Sequence, residues 1–406
     1  MDFDTRSWLQ NHKGKATLLG ICPMSEEIVR AAFQEAAKEG FVPMFIATPR
    51  QVDADRGYTS WSQGRLVKFL DSTSEEVGYK DPYIVARDHG GPYQSRRDRG
   101  DPSVELEEAM IYAKELFARD VREGFDLIHV DATEDPRVEG IVDLGEVADR
   151  THELITYIEK VREEEGLSEV YYEVGTEEIT GGMTRPDDFE RFIEMLFQRL
   201  ENYGFDRVIE KILFVVGQVG TTMRIDMRNR FDPDQAERLL NVVFQHNLFL
   251  KVHYTDWLNG SDLKKFPELG IGAANVGPEF AASIIEGLEE LERKERETIE
   301  GKEVEASDVM KAVEEAAIEE APWRKFVPKG VEDRDLDNFA QKHRREIAIC
   351  LGRYVYGSSE VEEAKRRLFE NLKKYSDIEN PDQYVVDKVR TFIRRFVKAF
   401  NLGGTV

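Results

Sequence analysis

Short apolar runs alternate with longer amphipathic stretches over the first three-quarters of the chain. Between the apolar runs, hydrophobic residues recur at helical spacing, most clearly over 25–39, 104–123, 144–164, 186–202 and 232–245. The apolar runs themselves have the length of buried strands and cover 16–22, 42–48, 83–88, 127–131, 170–175, 212–218, 248–253 and 271–276. Eight strands that alternate with helices over about 280 residues predict a (β/α)8 barrel, because that number of parallel strands closes the sheet.

An open, doubly wound parallel sheet shows the same alternation of strands and helices. The barrel is favoured because no glycine-rich dinucleotide fingerprint follows the first strand and polar residues end nearly every strand. After about residue 300 the pattern becomes helical without strands, first over 303–320 and then over 333–401. We therefore predict a barrel over residues 1–300 and a helical C-terminal extension over residues 301–406 that packs on it.

Composition narrows the class of protein. The chain has 406 residues, of which 41% are hydrophobic and 33% are charged, as in a globular protein. Its formal net charge of -24, with no basic stripe, argues against a nucleic-acid partner. Cys22 and Cys350 are its only cysteines, which excludes a disulfide framework and a zinc knuckle. Since a signal peptide and an 18-residue apolar run are also missing, we expect a cytoplasmic protein without a membrane partner.

Histidines end two of the predicted strands. Asp88 and His89 close the third strand and precede a Gly-Gly-Pro turn, and His253 closes the seventh, shortly before Asp256. Neutral imidazoles at the ends of different strands can ligate a catalytic metal ion, while a neighbouring carboxylate moves a proton. One such histidine alone is more simply a hydrogen-bonding loop residue. The recurrence at two strand ends favours a metal site.

Other polar residues follow the strands and gather on the same rim of a barrel. These rim candidates are Thr48, Gln51, Asp131, Gln218, Asp256, Asn275 and Gly277. Asp88 and Glu177 are the pair best placed to act as acid and base on opposite sides of a bound sugar, whereas Glu173 is expected inside its strand. His129 lies in the fourth strand, where a buried structural histidine and a metal ligand fit the pattern equally.

Local basic residues on this acidic chain predict an anionic substrate. Arg96 and Arg97 follow the third strand, and Arg224 and Arg228 follow the sixth. Guanidinium forks suit phosphate or carboxylate. Gly277 and the proline after it open a helix whose free N–H groups form a natural phosphate seat. The plainer alternatives are that this Gly-Pro pair only starts a helix and that the arginines pair with nearby acids.

The order of short motifs resembles the family named for the accessory (GatZ/KbaZ-type) subunit of class II tagatose-bisphosphate aldolase. Each motif is weak alone, but they run in sequence over nearly the whole chain and end in a helical tail. The matching segments are Gly20-Ile21-Cys22, residues 47–52, Gly57-Tyr58-Thr59, Asp88-His89-Gly90-Gly91-Pro92, residues 124–132, Gly175-Thr176-Glu177, Gly181-Gly182, His253-Tyr254-Thr255-Asp256 and Val276-Gly277-Pro278.

The resemblance implies a class II aldolase-like barrel. Some members of the family are non-catalytic partners of the aldolase subunit. Others, and the related uronate epimerases, resemble metal-dependent enzymes that invert a ketose carbon by retro-aldol cleavage and re-addition. In that chemistry a divalent ion held by His89 and His253 polarises the C2 carbonyl. Asp88 removes the C4 hydroxyl proton and Glu177 handles the second proton.

Two departures from the family pattern bear on substrate and metal. Gln218 stands where related epimerases place a third histidine ligand after the sixth strand. Glutamine is a poor zinc ligand, although it tolerates Mn²⁺ or Mg²⁺. Arg87 stands directly before Asp88, where a glycine is expected.

The sequence therefore favours a metal-dependent ketohexose or ketohexose-phosphate 4-epimerase of the fructose/tagatose type, with Zn²⁺, Mn²⁺, Ni²⁺ or Mg²⁺ as the ion. His89, His253 and Gln218 are the predicted ligands. The alternative is a non-catalytic accessory subunit of a class II tagatose-1,6-bisphosphate aldolase, and true aldolase activity shares the same chemistry. The expected partners are a ketose sugar or sugar phosphate, an aldolase subunit and further copies of the chain in a homo-oligomer.

Overall fold

The computed structural model describes residues 3–176, 182–328 and 330–406. Eight parallel strands pair in sequence order, and the first pairs with the last, so the sheet closes into a barrel. The predicted (β/α)8 barrel is confirmed. The strands are β1 (Leu18–Ile21), β2 (Met44–Ala47), β3 (Ile84–Gly90), β4 (Leu127–Val130), β5 (Tyr171–Gly175), β6 (Ile212–Val216), β7 (Phe249–Val252) and β8 (Ala273–Val276).

Helices surround the barrel and then continue beyond it. In the barrel part they are α1 (Thr5–His12), α2 (Glu26–Glu39), α3 (Gln63–Val77), α4 (Leu106–Arg122), α5 (Leu144–Glu165), α6 (Pro186–Asn202), α7 (Asp206–Ile209), α8 (Pro233–Gln245), α9 (Gly260–Leu269) and α10 (Pro278–Ile299). They are followed by α11 (Val309–Glu320), α12 (Leu336–Lys342), α13 (Arg344–Leu351), α14 (Ser359–Tyr375) and α15 (Pro381–Ala399), with 3₁₀ turns at Trp323–Phe326, Asp333–Asp335 and Gly352–Tyr354. None of the described helices is both long and apolar enough to cross a membrane.

Local signals set the ends of these helices. Ser25 caps α2 by accepting from the backbone N–H of Ile28 at 3.3 Å. Gly40 ends the same helix with a φ of 69°, a left-handed conformation that costs glycine little. Asp143 caps α5 in the same way as Ser25 caps α2, by accepting from Gly145 and Glu146. Both α2 and α5 therefore begin where the sequence supplies a capping side chain.

The last helices pack against the barrel. Arg390 and Arg394 of α15 donate to the wholly buried carboxylate of Glu35 in α2, from 2.9 Å and 2.5 Å. Trp8 of α1 donates its indole N–H to the backbone oxygen of Thr405 at 2.8 Å. Trp323, 1% exposed, lies in a separate apolar cluster formed by the loop after β6 and the helices that follow the barrel. The segment around Trp323 therefore lies beside the loop after β6, whereas α15 lies along α2.

A buried ion pair fixes β3 against α4. Arg87 forks onto Asp120 of α4 with N···O distances of 2.8 Å and 2.5 Å, and both side chains are fully enclosed. Its remaining terminal nitrogen donates to the backbone oxygens of Ala47 and Val52. Arg87 thus points outward from the barrel, which leaves the next residue, Asp88, to point inward.

We expect Arg87→Met to lower the free energy of unfolding by about 3–5 kcal/mol, because it leaves the Asp120 carboxylate buried without its partner. Denaturant unfolding of the purified variant measures this loss. The matched control is Arg122→Met, whose fork onto Glu165 is exposed and worth at most about 1 kcal/mol. Equal losses in the two variants would contradict the structural role assigned to the buried pair.

Candidate metal centre and active site

Three histidines converge at the C-terminal end of the barrel. His89 comes from the end of β3, His129 from β4 and His253 from the residue after β7. One ring nitrogen from each lies within 4.8 Å of the others. His253 Nδ1 is 3.1 Å from His89 Nε2, and the ring centroids of His89 and His129 are 5.1 Å apart. Three convergent imidazoles form a donor set suited to a divalent transition metal.

Backbone irregularity brings Asp88 and His89 to the same site. Consecutive residues of a regular strand point to opposite faces of the sheet. Here the β3–β4 register shifts between Arg87 and Gly90, and His89 adopts a φ of 49°. Such a left-handed conformation is costly for a non-glycine residue and is found where function requires it. A Cβ on Gly91 would lie 1.8 Å from the backbone oxygen of Asp131, so only glycine fits there.

Asp88 lies among the histidines as an ionised carboxylate. Its Oδ1 is 3.6 Å from His129 Nδ1, 3.6 Å from His253 Nε2 and 4.0 Å from His89 Nε2. The same oxygen accepts a hydrogen bond from Asn275 Nδ2 at 3.2 Å. Burial alone would raise the pKa of Asp88, but the neighbouring imidazoles hold that pKa well below its usual range. Asp88 is therefore available as a base at neutral pH.

Asp131 orients His89 rather than facing open space. Its Oδ2 lies 2.7 Å from His89 Nδ1 and also accepts from Gln94 Nε2, while its Oδ1 accepts from the backbone and hydroxyl of Thr133. Burial opposes ionisation of Asp131, yet these bonds hold its pKa below the usual range. A carboxylate at Nδ1 fixes the tautomer that leaves Nε2 free for a metal ion. Asp131 was predicted to bind substrate, and in the structure its carboxylate contacts His89, one of the predicted metal ligands.

A buried ion pair lies beneath the histidines. Glu173 Oε1 is 2.9 Å from His253 Nε2, and its Oε2 accepts from Lys251 Nζ at 2.5 Å. Glu173 lies inside β5, as predicted, and both members of the pair are fully enclosed. Three carboxylates, Asp88, Asp131 and Glu173, lie around the histidines, and Lys251 balances one of them, which leaves two carboxylate charges for a cation. A divalent cation is the charge that such a buried centre lacks, so the residues fit the ion that the sequence predicts.

His129 supplies the third imidazole beside the two predicted histidine ligands. The predicted third ligand, Gln218, uses its amide oxygen within its own loop, where it accepts from the backbone of Gly220 at 2.8 Å and from the hydroxyl of Thr221 at 3.4 Å. The pattern in β4 left the role of His129 open, and only the three-dimensional arrangement brings it to the centre. Glu177, the predicted second acid or base, lies outside the described residues.

The predicted phosphate seat at the start of α10 is filled by a carboxylate. The backbone N–H groups of Gly277 and Glu279 both donate to Asp256 Oδ1, at 3.0 Å and 2.7 Å. Burial raises the pKa of Asp256 to about 6 and that of Glu279 to about 7. Glu279 in turn pairs with Arg395 of α15 at 2.6 Å. Asp256 therefore caps the start of α10. The N–H groups that it accepts from are not available to a phosphate group.

The predicted arginines separate into two groups. Arg97 pairs with Glu115 at 3.1 Å, and Arg224 forks onto Asp226 at 3.1 Å and 2.9 Å, so both form surface ion pairs. Arg228 is exposed. Arg97 and Arg224 therefore pair with nearby acids, which is the plainer alternative given above for the arginines. Arg96 differs, because it lines a cavity at the barrel rim.

Of the remaining rim candidates, Asn275 contacts Asp88, and Gln51 and Thr48 contact each other. Gln51 is buried and accepts from the backbone N–H of Thr48 at 2.9 Å. Asn275 donates to Asp88, while its own Oδ1 is buried with no hydrogen-bond partner among the described residues. A Cβ on Gly20 would lie 2.4 Å from that oxygen, so the absence of a side chain in β1 makes room for it. An unpartnered acceptor beside Asp88 is suited to a substrate hydroxyl.

A cavity of about 490 Å³ opens at the same rim, between the barrel and the C-terminal helices. We call it the arginine cavity. Its lining residues are Arg50, Tyr58, Arg96, Glu320, Pro322, Tyr354, Gly357 and Ser358. Five of the eight come from the helical part of the chain. No strand-end pattern marks those five residues, so their position at the rim could not be predicted from the sequence.

The chain matches one protein family over nearly its full length. The family is described as D-tagatose-1,6-bisphosphate aldolase subunit GatZ/KbaZ-like, and its profile matches residues 6–399. A D-tagatose 6-phosphate 4-epimerase of Agrobacterium fabrum is 27% identical over 290 residues, which is 68% of this chain and 67% of that protein. The D-tagatose-1,6-bisphosphate aldolase subunit GatZ of Klebsiella pneumoniae is 24% identical over 341 residues, which is 80% of this chain and 77% of that protein.

Solved structures share the fold. A probable tagatose 6 phosphate kinase from Sinorhizobium meliloti superposes with a TM-score of 0.77 at 18% identity, covering 94% of this chain and all of that one. A fructose-bisphosphate aldolase from Campylobacter jejuni superposes with a TM-score of 0.58 at 11% identity, covering 99% and 94%. At these identities the likeness establishes the barrel architecture alone.

Proposed function

Because the chain belongs to the D-tagatose-1,6-bisphosphate aldolase subunit GatZ/KbaZ-like family, we propose that it is a cytoplasmic, metal-dependent 4-epimerase of a ketohexose or ketohexose phosphate of the fructose/tagatose type. The observation that carries the proposal is the convergence of Asp88 with His89, His129 and His253, whose ring nitrogens lie 3.6–4.0 Å from Asp88 Oδ1. The relative named as a D-tagatose 6-phosphate 4-epimerase supports the same reaction.

The histidines would hold the ion, and Asp131 and Glu173 would keep two of their rings in place. A divalent ion bound there supplies a Lewis acid that polarises the ketose carbonyl and stabilises negative charge on the neighbouring oxygens. Asp131 fixes His89 through Nδ1, and Glu173 fixes His253 through Nε2. The ligand nitrogens are therefore oriented before substrate arrives, which reduces the reorganisation that catalysis requires.

Asp88 is the proposed base. Its carboxylate takes the proton of the C4 hydroxyl, and the electrons of that O–H bond form the C4 carbonyl as the C3–C4 bond breaks. The electrons of the C3–C4 bond form a C2–C3 double bond, and those of the C2 carbonyl move onto its oxygen, which makes this fragment an enediolate. Rotation of the resulting aldehyde exposes its opposite face, and re-addition to C3 returns the ketose with C4 inverted. The Asn275 amide holds Asp88 throughout, and its unpartnered Oδ1 can accept from a sugar hydroxyl. Glu177 keeps its predicted role as the second proton-handling group.

The second candidate is a non-catalytic subunit that stabilises a separate aldolase chain. The GatZ relative, described as an aldolase subunit, is the observation that favours it. A non-catalytic subunit has no need of a carboxylate buried among three histidines. Burial of each of these polar side chains costs desolvation energy. We therefore place the epimerase first.

Metal-dependent turnover tests the proposal. The protein is stripped of metal, reloaded separately with Zn²⁺, Mn²⁺, Ni²⁺ or Mg²⁺, and given D-fructose 6-phosphate or D-fructose, with the products resolved by chromatography. We expect tagatose or its 6-phosphate to form only after reloading, and not in a His89→Ala, His253→Ala double variant. Release of free triose at the rate of ketose loss would instead indicate an aldolase. No turnover with any ion, together with a rise in the stability of an added aldolase chain, would establish the accessory role.

A further inference from the structure

The arginine cavity contains positive charge that the protein does not balance. Among the described residues, the lining residue Arg50 forms no ion pair with a carboxylate, and neither does Arg353, which lies behind the lining at the ring of Tyr354, although the chain as a whole carries a net charge of -24. Arg96, on the opposite lining, approaches Asp55 only to 3.7 Å. Uncompensated cations at a partly enclosed site cost free energy unless an anion joins them.

Arg353 is the most enclosed of these cations. It is 7% exposed and lies in the 3₁₀ turn Gly352–Tyr354 that follows the barrel. All its hydrogen-bond partners are neutral: the backbone oxygen of Cys350, the sulfur of Met223 and the hydroxyl of Tyr354. A guanidinium that is buried without a carboxylate is rare in proteins and is typical of a site that receives an anion.

Two guanidinium groups flank a single phenol at the cavity. The Arg353 and Arg50 carbons lie 4.5 Å and 5.1 Å from the centroid of the Tyr354 ring. Burial would raise the pKa of Tyr354, but Arg353, Arg50 and Arg99 hold it below its ordinary value. The positive potential therefore acts on a hydroxyl group that borders the cavity, as it would act on a bound anion.

Hydrogen bonds connect this region to the metal centre. Arg99 donates to Gln94 Oε1 at 3.2 Å, and Gln94 donates to Asp131 Oδ2 at 3.0 Å. Asp131 in turn holds His89. Arg99, one of the three arginines that act on Tyr354, is thus connected through two side chains to His89.

Two further groups of the lining decide what the cavity can accept. Glu320 is exposed, where solvent screens its charge. Ser358, directly before α14, has a buried Oγ with no hydrogen-bond partner among the described residues. A hydroxyl donor beside arginine forks matches the oxygens of a phosphate group.

We propose that the arginine cavity binds the phosphate group of the substrate, with Arg50 and Arg96 as its principal contacts and with Arg353 adding positive charge next to the lining residue Tyr354. This inference rests on the proposed function and narrows it to ketohexose phosphates that carry phosphate on the end carbon remote from the carbonyl. The start of α10 cannot take this role, because Asp256 uses its N–H groups. The helices after the barrel would then complete the substrate site.

Calorimetric titration with inorganic phosphate, on the protein as purified, tests the cavity without relying on turnover. We expect Arg50→Gln and Arg96→Gln to weaken phosphate binding, by at least about tenfold for Arg50→Gln, because each removes charge-assisted hydrogen bonds. Arg97→Gln is the matched control, since Arg97 follows Arg96 directly but pairs with Glu115 outside the cavity. Thermal unfolding of each variant establishes that the fold is retained.

Kinetics with two substrates separate this inference from the proposed function. For Arg50→Gln we expect a higher KM for D-fructose 6-phosphate and an unchanged kcat/KM for D-fructose. If Arg50→Gln weakens phosphate binding but the protein shows no turnover, the cavity is supported as a phosphate site and the epimerase proposal is rejected. If the unmodified protein turns over D-fructose 6-phosphate and D-fructose with equal kcat/KM, the cavity is not the phosphate site, while the epimerase proposal stands. Phosphate binding that survives Arg50→Gln and Arg96→Gln would also overturn it, because the anion would then bind elsewhere, for example at the metal centre.

Discussion

Asp88→Asn is expected to lower epimerase turnover by about 10²–10⁴-fold, the range that a positioned general base contributes. The amide has nearly the same shape as the carboxylate and its oxygen can still accept from Asn275, so the local structure should persist. What it loses is the ability to take a proton from the sugar hydroxyl. Chromatographic assay of the metal-reloaded variant measures the loss.

The same variant tests whether Asp88 is a base or a ligand. Its Oδ1 lies near His129 and His253, and with Glu173 these groups form a second set that could hold an ion. If Asp88 acts as the base, the metal content of Asp88→Asn should equal that of the unmodified protein. Loss of metal together with activity would identify Asp88 as a ligand.

Asp98→Asn provides a control for this substitution. Asp98 is buried in the loop after β3 and accepts from Tyr93 and Ser95, away from the histidines. The change to asparagine there costs hydrogen bonds without removing a base. Activity that falls equally in Asp98→Asn and Asp88→Asn would point to a general loss of structure and against proton transfer by Asp88.

The sequence predicted the barrel well because its signals are local. Seven of the eight apolar runs contain the strand observed, β3 extends two residues beyond its run to Gly90, and α6 has the predicted bounds of 186–202. The rim also follows from the pattern, since residues after parallel strands gather at one end of a barrel. The helices α3 and α9 were not among the clearest patterns, because α3 buries few large apolar side chains and α9 contains Pro267.

The remaining features of the site depend on tertiary contacts. Glu173 and Lys251 each lie inside an apolar run, and two opposite charges in buried strands could have been paired on physical grounds. Arg353 offered no such signal. It lies in a helical region, and nothing in its local pattern indicates that the 3₁₀ turn reaches the barrel rim. The filled start of α10 likewise depends on Asp256, which lies in the loop after another strand.

His253→Ala is expected to weaken metal binding by more than about 100-fold, since even loss of a group that only supports a ligand costs about 10–100-fold. The ring is held by Glu173 and lies 3.1 Å from His89, so its removal takes away a ligand and leaves Glu173 without one of its partners. Competitive titration against a chelator measures the affinity. His246→Ala is the control, because His246 follows α8 and contacts Phe197 instead of the centre.

The same titration identifies the third ligand. His129 Nδ1 accepts from the backbone N–H of His89 at 3.1 Å, so ligation through that nitrogen requires the ion to replace this hydrogen bond. A metal–imidazole bond at a buried centre with two excess negative charges outweighs one neutral hydrogen bond of about 1 kcal/mol. We therefore expect His129→Ala to lose affinity as His253→Ala does, and Gln218→Ala to bind metal within a few-fold of the unmodified protein. The opposite order would return Gln218 to the ligand set and leave His129 as a hydrogen-bonding residue that positions His89.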